Sequence, residues 1–530
     1  MAPRGTGSRD RDEYIRATER VLDKIMTCTQ MGLPYGINSE LEWQYLMEIH
    51  ELAAELIDVQ AKLGKPGTNK TRTPIATRLN KFKKWLHANG VPEDIPIDFV
   101  GNLAEGLGAI ATRDIKPDEE IIRIPRRLCM SILSAQRSVR LRDVLTTMRN
   151  QLPASLLMIL HLLEQRFTTN SFWKPYLDIL PETYPLLPFF NPEDMAELKG
   201  TAVVRDCANT LKDMLRGYAS AFRAVEKTGV ISIWNYTFEQ FRWATCTLFT
   251  RQNMIPGNCQ YEVDLFAEEG IELTSAQLPE KMLALVPGWD LLNHKEGLPI
   301  TSFNDNDQGT HTCAAAEPVK AGQQVYIGYT EERPNRHRFV RTGFLAPTAV
   351  DADTLHVSFK FPNLKDVARR RDLAYKLFRL SEPFPLDIQI PLVKNHDNVI
   401  GTLACAFGTA ADLDFLAGLE ELAEKEPREE SAAKALRNMD AVVERYKAGE
   451  LECTGKIVQY MDTQAMLHLT RGEDRVATVE SELRELRAKK VSQVDQRDLF
   501  RINVLGFFLV EREYAAKIRE YAQEEKAKLA

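Results

Sequence analysis

Between Leu285 and His294 an apolar run breaks at Pro287-Gly288 and then sets Asp290, Asn293 and His294 among aliphatic residues. A buried amide or imidazole without a partner costs about 1 to 3 kcal/mol, so a distant part of the chain has to meet these groups. The stretch Ala321-Gly-Gln-Gln-Val-Tyr-Ile-Gly-Tyr329 supplies a candidate. Alternation after its glycine turn predicts a strand with Val325, Ile327 and Tyr329 on one face. A chain built around this pair of stretches needs a β layer, and the rest of the sequence shows where that layer lies.

The first 76 residues are helical in pattern, over 12–30 and 39–63. The second segment opens on Ser39-x-x-Glu42, a capping box, and repeats Leu46, Ile49, Leu52, Leu56 and Val59 at helical spacing. Residues 64–74 read as a linker, and 77–89 as a helix stopped by Gly90. Short strands are expected at 97–100, 109–112 and 120–124, with Glu105-Gly-Leu-Gly and Lys116-Pro-Asp-Glu as turns. Helical segments at 154–166, 206–226 and 237–250 then interrupt the strands, which resume near Met282. Neither strand group alone makes an adequate sheet, so a helical insertion at about 133–250 inside one β domain is expected. After residue 347, apart from a strand-like stretch at 356–361, the chain is rich in Ala, Glu, Lys and Arg at helical spacing. The predicted class is α+β: a helical extension and linker (1–76), a β domain with a helical insertion (77–346) and an all-helical C-terminal domain (347–530).

Composition narrows the function. With 530 residues, the chain can hold two or three domains of about 100 to 200 residues each. Its net charge of −7 and pI near 5.9 argue against binding to a phosphate backbone, which needs concentrated Lys and Arg. No nucleic acid and no membrane is expected as a partner, and a folded protein fits better. The N-terminus lacks an apolar signal core, so a reducing compartment is expected, the cytoplasm first, with the nucleus left open. Eight cysteines are scattered without a Cys-x-x-Cys pair, so neither disulfide framework nor zinc site is indicated.

Each candidate motif has a plain structural reading beside a functional one. The Glu105-Gly106-Leu107-Gly108 turn lets backbone approach a ligand, or is simply a β-turn. Thr250-Arg251-Gln252-Asn253 is a polar patch that binds something, or caps a helix. Asn293-His294 and Tyr329 are site residues, or satisfied core groups.

In order, the EGLG turn, helical insertion, TRQN, WDLLNH, Gly-rich turn, strand ending in Tyr329 and Arg341-Thr-Gly-Phe344 resemble the SET-domain methyltransferases. The inserted helices and helical C-terminal region resemble the group containing Rubisco large-subunit methyltransferase. Ala111-Thr-Arg-Asp-Ile-Lys, Asn170-Ser-Phe-Trp-Lys-Pro-Tyr, Phe241-Arg-Trp-Ala and Tyr326-Ile-Gly-Tyr are similar to the actin-histidine N-methyltransferases. The resemblance implies S-adenosylmethionine as cofactor, held by Glu105, Gly106, Leu107, Arg251, Asp290, Leu291, Leu292, Asn293, His294, Thr342, Gly343 and Phe344, with Arg72 or Arg78 standing for a further arginine. It implies a histidine of actin as the methyl acceptor, with Tyr329 and Asn253 as catalytic residues and Asn253, Trp289, Gln252 and Arg333 against the substrate, and no metal. A lysine acceptor, or a non-catalytic actin-binding scaffold with a decayed SET domain, are the alternatives. Residues 260–279 are an acidic insertion relative to that family.

Overall fold

The strand Ile97–Leu103 turns back into the strand Gly106–Ala111 as an antiparallel hairpin. Gly106 sits at the turn with φ +90°, a left-handed conformation that costs glycine little. The structure, a computed structural model, describes residues 6–30, 33, 39–64, 72–148, 152–268, 270–305, 309–329, 333–378, 384–392, 399–424 and 431–529. Residues 65–71 of the expected linker lie outside this set. Two three-stranded antiparallel sheets follow. In one, Glu120–Pro125 pairs with Thr310–Ala314, which pairs with Ser302–Asp305. In the other, Lys281–Leu285 lies between Met130–Ser131 and Asn253–Pro256.

The stretches 285–294 and 321–329 meet. Asn293–His294 pairs in parallel with Tyr326–Ile327, while the backbone just before, at Gly322 and Val325, bonds back to Ala111 and Ala109 of the hairpin. The strand expected through residue 329 is confined to Tyr326–Ile327. The reason is a crossing chain: a Cβ on Gly328 would lie 2.2 Å from the Leu298 carbonyl oxygen and 2.8 Å from that of Pro299. Regular pairing therefore ends at Ile327. Val325 and Ile327 are buried as the alternation predicts, but Tyr329 is half-buried and turns toward His294.

Between Ser131 and Asn253 the described residues hold helices and no strand, chiefly Ala154–Phe167, Ala202–Thr228 and Phe238–Arg251. Thr237 caps the last through the Gln240 amide. The N-terminal helices Thr6–Cys28 and Ser39–Leu63 pack on Ala202–Thr228 and share the core of the β region, so these two helices are not free-standing. Polar groups pin that packing. The Gln60 side chain donates to the Tyr218 hydroxyl at 2.7 Å and accepts from the Phe238 amide at 2.8 Å. Glu42 of the expected capping box is buried in an ion pair with Arg205, 2.6 Å away.

One expectation for the C-terminal region is corrected. It is not all-helical, since Leu355–Phe359 and Phe384–Ile388 form an antiparallel hairpin; Leu355, Val357 and Phe359 alternate into a second core, together with Leu386 and Ile388. Nor does the region 347–530 keep to one core. The helix Gln496–Leu529 gives Phe500, Val504, Leu505, Phe507 and Phe508 to the first core and Val510, Tyr514, Ala515, Ile518 and Ala522 to the second. Among the described residues no helix is long and apolar enough to cross a membrane.

Candidate active site

A cavity of about 640 Å³ opens where the hairpin turn, the helical insertion, the Asn293–His294 segment and the start of the last helix converge. Among the residues singled out from sequence, Glu105, Gly106, Leu107, Arg251, Asp290, Leu291, Asn293, His294, Tyr329, Thr342, Gly343 and Phe344 line it. Arg72 and Arg78 both reach it, so the choice between them dissolves. Each is fixed by main-chain carbonyls: Arg72 donates to Asp178 and Leu180, Arg78 to Thr73 and Asp178.

The polar groups of the WDLLNH run find partners in the manner their burial demands. The Asn293 side-chain amide donates to the Leu107 carbonyl at 3.0 Å, tying the hairpin turn to the crossing segment. His294 Nδ1 accepts from the Tyr329 backbone amide at 3.2 Å, which leaves Nε2 to carry the proton and donate to Glu296 Oε2 at 3.1 Å. Arg338 grips both oxygens of Glu296, at 2.8 and 2.9 Å. Partial burial pushes Glu296 up, but Arg338 and His294 outweigh it and hold the carboxyl below its usual range. The rings of His294, Tyr329 and Phe344 lie within 5.2 to 6.1 Å of one another. The Tyr329 hydroxyl donates to the Leu292 carbonyl at 2.8 Å. Burial raises the Tyr329 phenol far above its ordinary value, so it acts as a neutral donor and never as a base.

Asp290 and Arg251 form the electrostatic centre. Arg251 Nη1 donates to the Asp290 carbonyl at 2.8 Å and lies 3.8 Å from Oδ2. Burial pushes the Asp290 carboxyl up to about 6, against the opposing pull of Arg251 and of the Tyr176 hydroxyl. Burial also works against the Arg251 charge, but Asp290 reverses that and holds the guanidinium above its ordinary range. Asp290 Oδ1 and Arg251 Nε are buried without a hydrogen-bond partner. Buried polar atoms in native proteins are nearly always paired, so these two mark where a polar ligand belongs. A molecule with an ammonium and a carboxylate on one carbon, such as the amino-acid end of S-adenosylmethionine, fits that donor and acceptor set.

Five residues singled out from sequence do not line the cavity. Leu292 is buried and contributes only its carbonyl to Tyr329. Trp289, expected as a wall of the target pocket, is packed in the core with its ring 5.0 Å from that of His311. Asn253 begins a strand and donates to the Arg251 carbonyl at 3.2 Å. Gln252 is exposed. Arg333 is exposed and bonded to His337 at 2.8 Å. Sequence reasoning missed Tyr184, Gln496, Leu499, Ile502 and Asn503, all in the lining, whereas Thr250 of the TRQN patch also lines it. Asn503 donates to the Gly343 carbonyl at 2.7 Å; an asparagine on the apolar face of a helix was the signal for it. Among the described residues no three His, Cys, Asp or Glu side chains gather as a metal site.

No family model matches the chain. It is 31% identical over 308 residues to a Callithrix jacchus protein described as actin-histidine N-methyltransferase, covering 57% of this chain and 47% of that one. Proteins of the same description from Homo sapiens (30% over 308 residues, 57% and 48% covered) and Mus musculus (33% over 266 residues, 49% and 41% covered) also match. The chain spans about half the length of the curated relatives it matches. Among solved structures, the SET domain of LSMT bound to lysine and AdoHcy superposes with TM-score 0.60 at 18% identity, covering 86% of this chain and 92% of that one. Rubisco LSMT bound to AdoMet gives 0.56 at 18%, covering 85% and 93%. The hairpin, the crossing Asn293–His294 segment, the inserted helices and the helical C-terminal region together are the SET fold in the arrangement of these LSMT structures.

Proposed function

We propose that the chain is a protein-histidine N-methyltransferase that transfers the methyl group of S-adenosylmethionine to a ring nitrogen of a histidine in actin. The observation that carries this reading is the buried Arg251–Asp290 pair with one unpartnered atom on each side, set in a cavity against Asn293 and His294. The likeness to proteins named for actin-histidine methylation supports the choice of acceptor.

When bound, the cofactor supplies an electrophilic methyl on a sulfonium. Arg251 and Asp290 would hold its charged end, and Glu105 to Leu107, His294 and Phe344, which line the same cavity, would surround the rest. Transfer then requires a neutral nitrogen lone pair in line with the methyl and a site that shuts out water. An imidazole, with an ordinary pKa of about 6.5, is mostly neutral at pH 7 and needs no strong base, whereas a lysine at about 10.4 has to lose a proton first. What a histidine acceptor needs is a fixed ring. Tyr329, kept neutral by burial, holds the ring on the cavity side. Asn253, two residues beyond Arg251, lies outside the cavity lining with its side-chain amide on the Arg251 carbonyl; it would select the tautomer by releasing that carbonyl and hydrogen-bonding the far ring nitrogen.

Tyr329→Phe keeps the ring and deletes the hydroxyl. Turnover is expected to fall about 10-fold or more, or about 1.4 kcal/mol of barrier, with cofactor affinity nearly unchanged. Equal turnover would return Tyr329 to a purely structural role. The acceptor is tested by single-turnover rates against pH. A histidine predicts a rise through about pH 6.5 and then a plateau, a lysine a continuing rise toward about pH 9 or beyond. Asn253→Ala, assayed on two peptides differing only in His or Lys, should slow the histidine peptide selectively. A continuing rise together with equal slowing of both peptides would overturn the histidine assignment.

A further inference from the structure

Tyr176 ends the Trp173-Lys-Pro-Tyr run, inside the short helix Lys174–Leu177, and is fully buried. Its hydroxyl donates to Oδ2 of Asp290. Burial, reinforced by the charge of Asp290, raises the Tyr176 phenol well above its ordinary value, so it remains a donor at every working pH. Arg251 approaches the same oxygen of Asp290, and Oδ1 is left without a partner, as is Arg251 Nε. A carboxylate turning about its broad, two-fold terminal torsion exchanges its oxygens. A donor fixed on one of them stops that rotation and chooses which oxygen stays free.

We propose that Tyr176 is a positioning residue: it pins Oδ2 of Asp290 so that Oδ1 and the Arg251 guanidinium stay directed toward a ligand carrying an ammonium and a carboxylate. This rests on the methyltransferase reading for the identity of the ligand. Asp290 is the switchable member of the group. The other titratable groups that sense it are Arg251, Tyr176, Tyr329 and Cys129. Burial pushes the Cys129 thiol up to about 12 and raises the phenols further; Arg251, whose charge burial opposes, is held above its ordinary range by Asp290. A hydrogen bond to the charged form of a carboxyl favours that form. Removing the Tyr176 hydroxyl therefore lets Asp290 take up a proton at higher pH, and the site loses its negative member under conditions where the native protein keeps it.

The test is calorimetric titration of the full chain with S-adenosylhomocysteine, from about pH 5 to about pH 8, for wild type and Tyr176→Phe. Wild-type affinity should weaken as pH falls through about 6, where Asp290 takes up a proton. In Tyr176→Phe that midpoint should move up by about one pH unit, with most of the affinity recovered by about pH 8. Comparing the two proteins cancels pH effects common to both. A profile parallel to wild type, or a loss uniform across pH, would mean that the ring only packs, and overturns the inference. Asp290→Asn is the second variant: it removes the titrating group, so the step near pH 6 should vanish from its profile. A surviving step overturns the inference even if Tyr176→Phe does not fold. Wild type that binds no S-adenosylhomocysteine overturns the methyltransferase reading and this inference with it; binding with an unshifted Tyr176→Phe profile overturns this inference alone.

Discussion

Arg251→Met is expected to destabilise the protein by about 3 to 5 kcal/mol and to abolish cofactor binding, because it leaves the buried Asp290 carboxylate without its charged partner. The pH dependence gives the effect a signature. An ordinary Asp has a pKa of about 3.9, and burial already raises Asp290 in the folded protein to about 6. A carboxyl raised on folding takes its proton more readily in the folded state. The stability linked to that proton is fully present below the unfolded pKa and is lost as pH rises through the folded one. Without Arg251 the folded pKa climbs further, so the deficit relative to wild type should be greatest at neutral pH and should shrink on acidification. Replacing Asp290 as well, in Arg251→Met/Asp290→Leu, should recover much of the stability but none of the binding, since paired apolar replacements for a buried ion pair are often tolerated. Thermal and urea unfolding at neutral and acid pH read both effects. A single-variant loss below about 1 kcal/mol, the size of an exposed pair, would mean that the pair is solvated and the account of the cavity's charge is wrong.

Gly328→Ala should be nearly as damaging for a different reason. The added methyl would meet the carbonyl oxygens of Leu298 and Pro299 at 2.2 and 2.8 Å, and backbone cannot swing aside as a side-chain end does. The cost should lie at or above the top of the usual range of about 1 to 3 kcal/mol for overpacking. Displacing the crossing segment also disturbs the Asn293–His294 and Tyr326–Ile327 pairing, so cofactor affinity should fall with stability. Gly418→Ala is the control. That glycine lies inside the helix Ala410–Glu424 with nothing near an added Cβ, and the same substitution there should stabilise by up to about 1 kcal/mol. Similar melting shifts for the two variants would show that the crossing is looser than described.

Part of the cavity was legible because some of its residues sit at positions where local chemistry conflicts with burial, while Glu105, Leu107, Leu291 and Thr342 to Phe344 were implied only by the resemblance to the SET-domain methyltransferases. Asn293 and His294 lie in an apolar run, Gly106 marks a turn that no side chain tolerates as well, and Arg251 ends an otherwise buried helix. Such conflicts are visible one stretch at a time. What stayed hidden depends on which distant element arrives. Leu499 and Asn503 read as one face of an amphipathic helix, and nothing local says that the face meets Gly343 rather than the C-terminal core. That part of 347–530 returns to the first core stayed hidden for the same reason, since the last helix serves two cores. Tyr176 reads as an ordinary aromatic until Asp290 is beside it. Trp289 shows the converse: the resemblance implied a pocket wall, but a 3-10 turn over Trp289–Leu291 sends its ring toward His311.

Histidine methylation of actin is read out by mass spectrometry of unmodified actin incubated with the full chain and S-adenosylmethionine. The account predicts one added methyl group, mapped by fragmentation to a histidine ring, absent when the cofactor is omitted and strongly reduced with Tyr329→Phe. A methyl mapped to a lysine would contradict the acceptor, and actin left unmodified by a chain that binds the cofactor would contradict the claim as a whole.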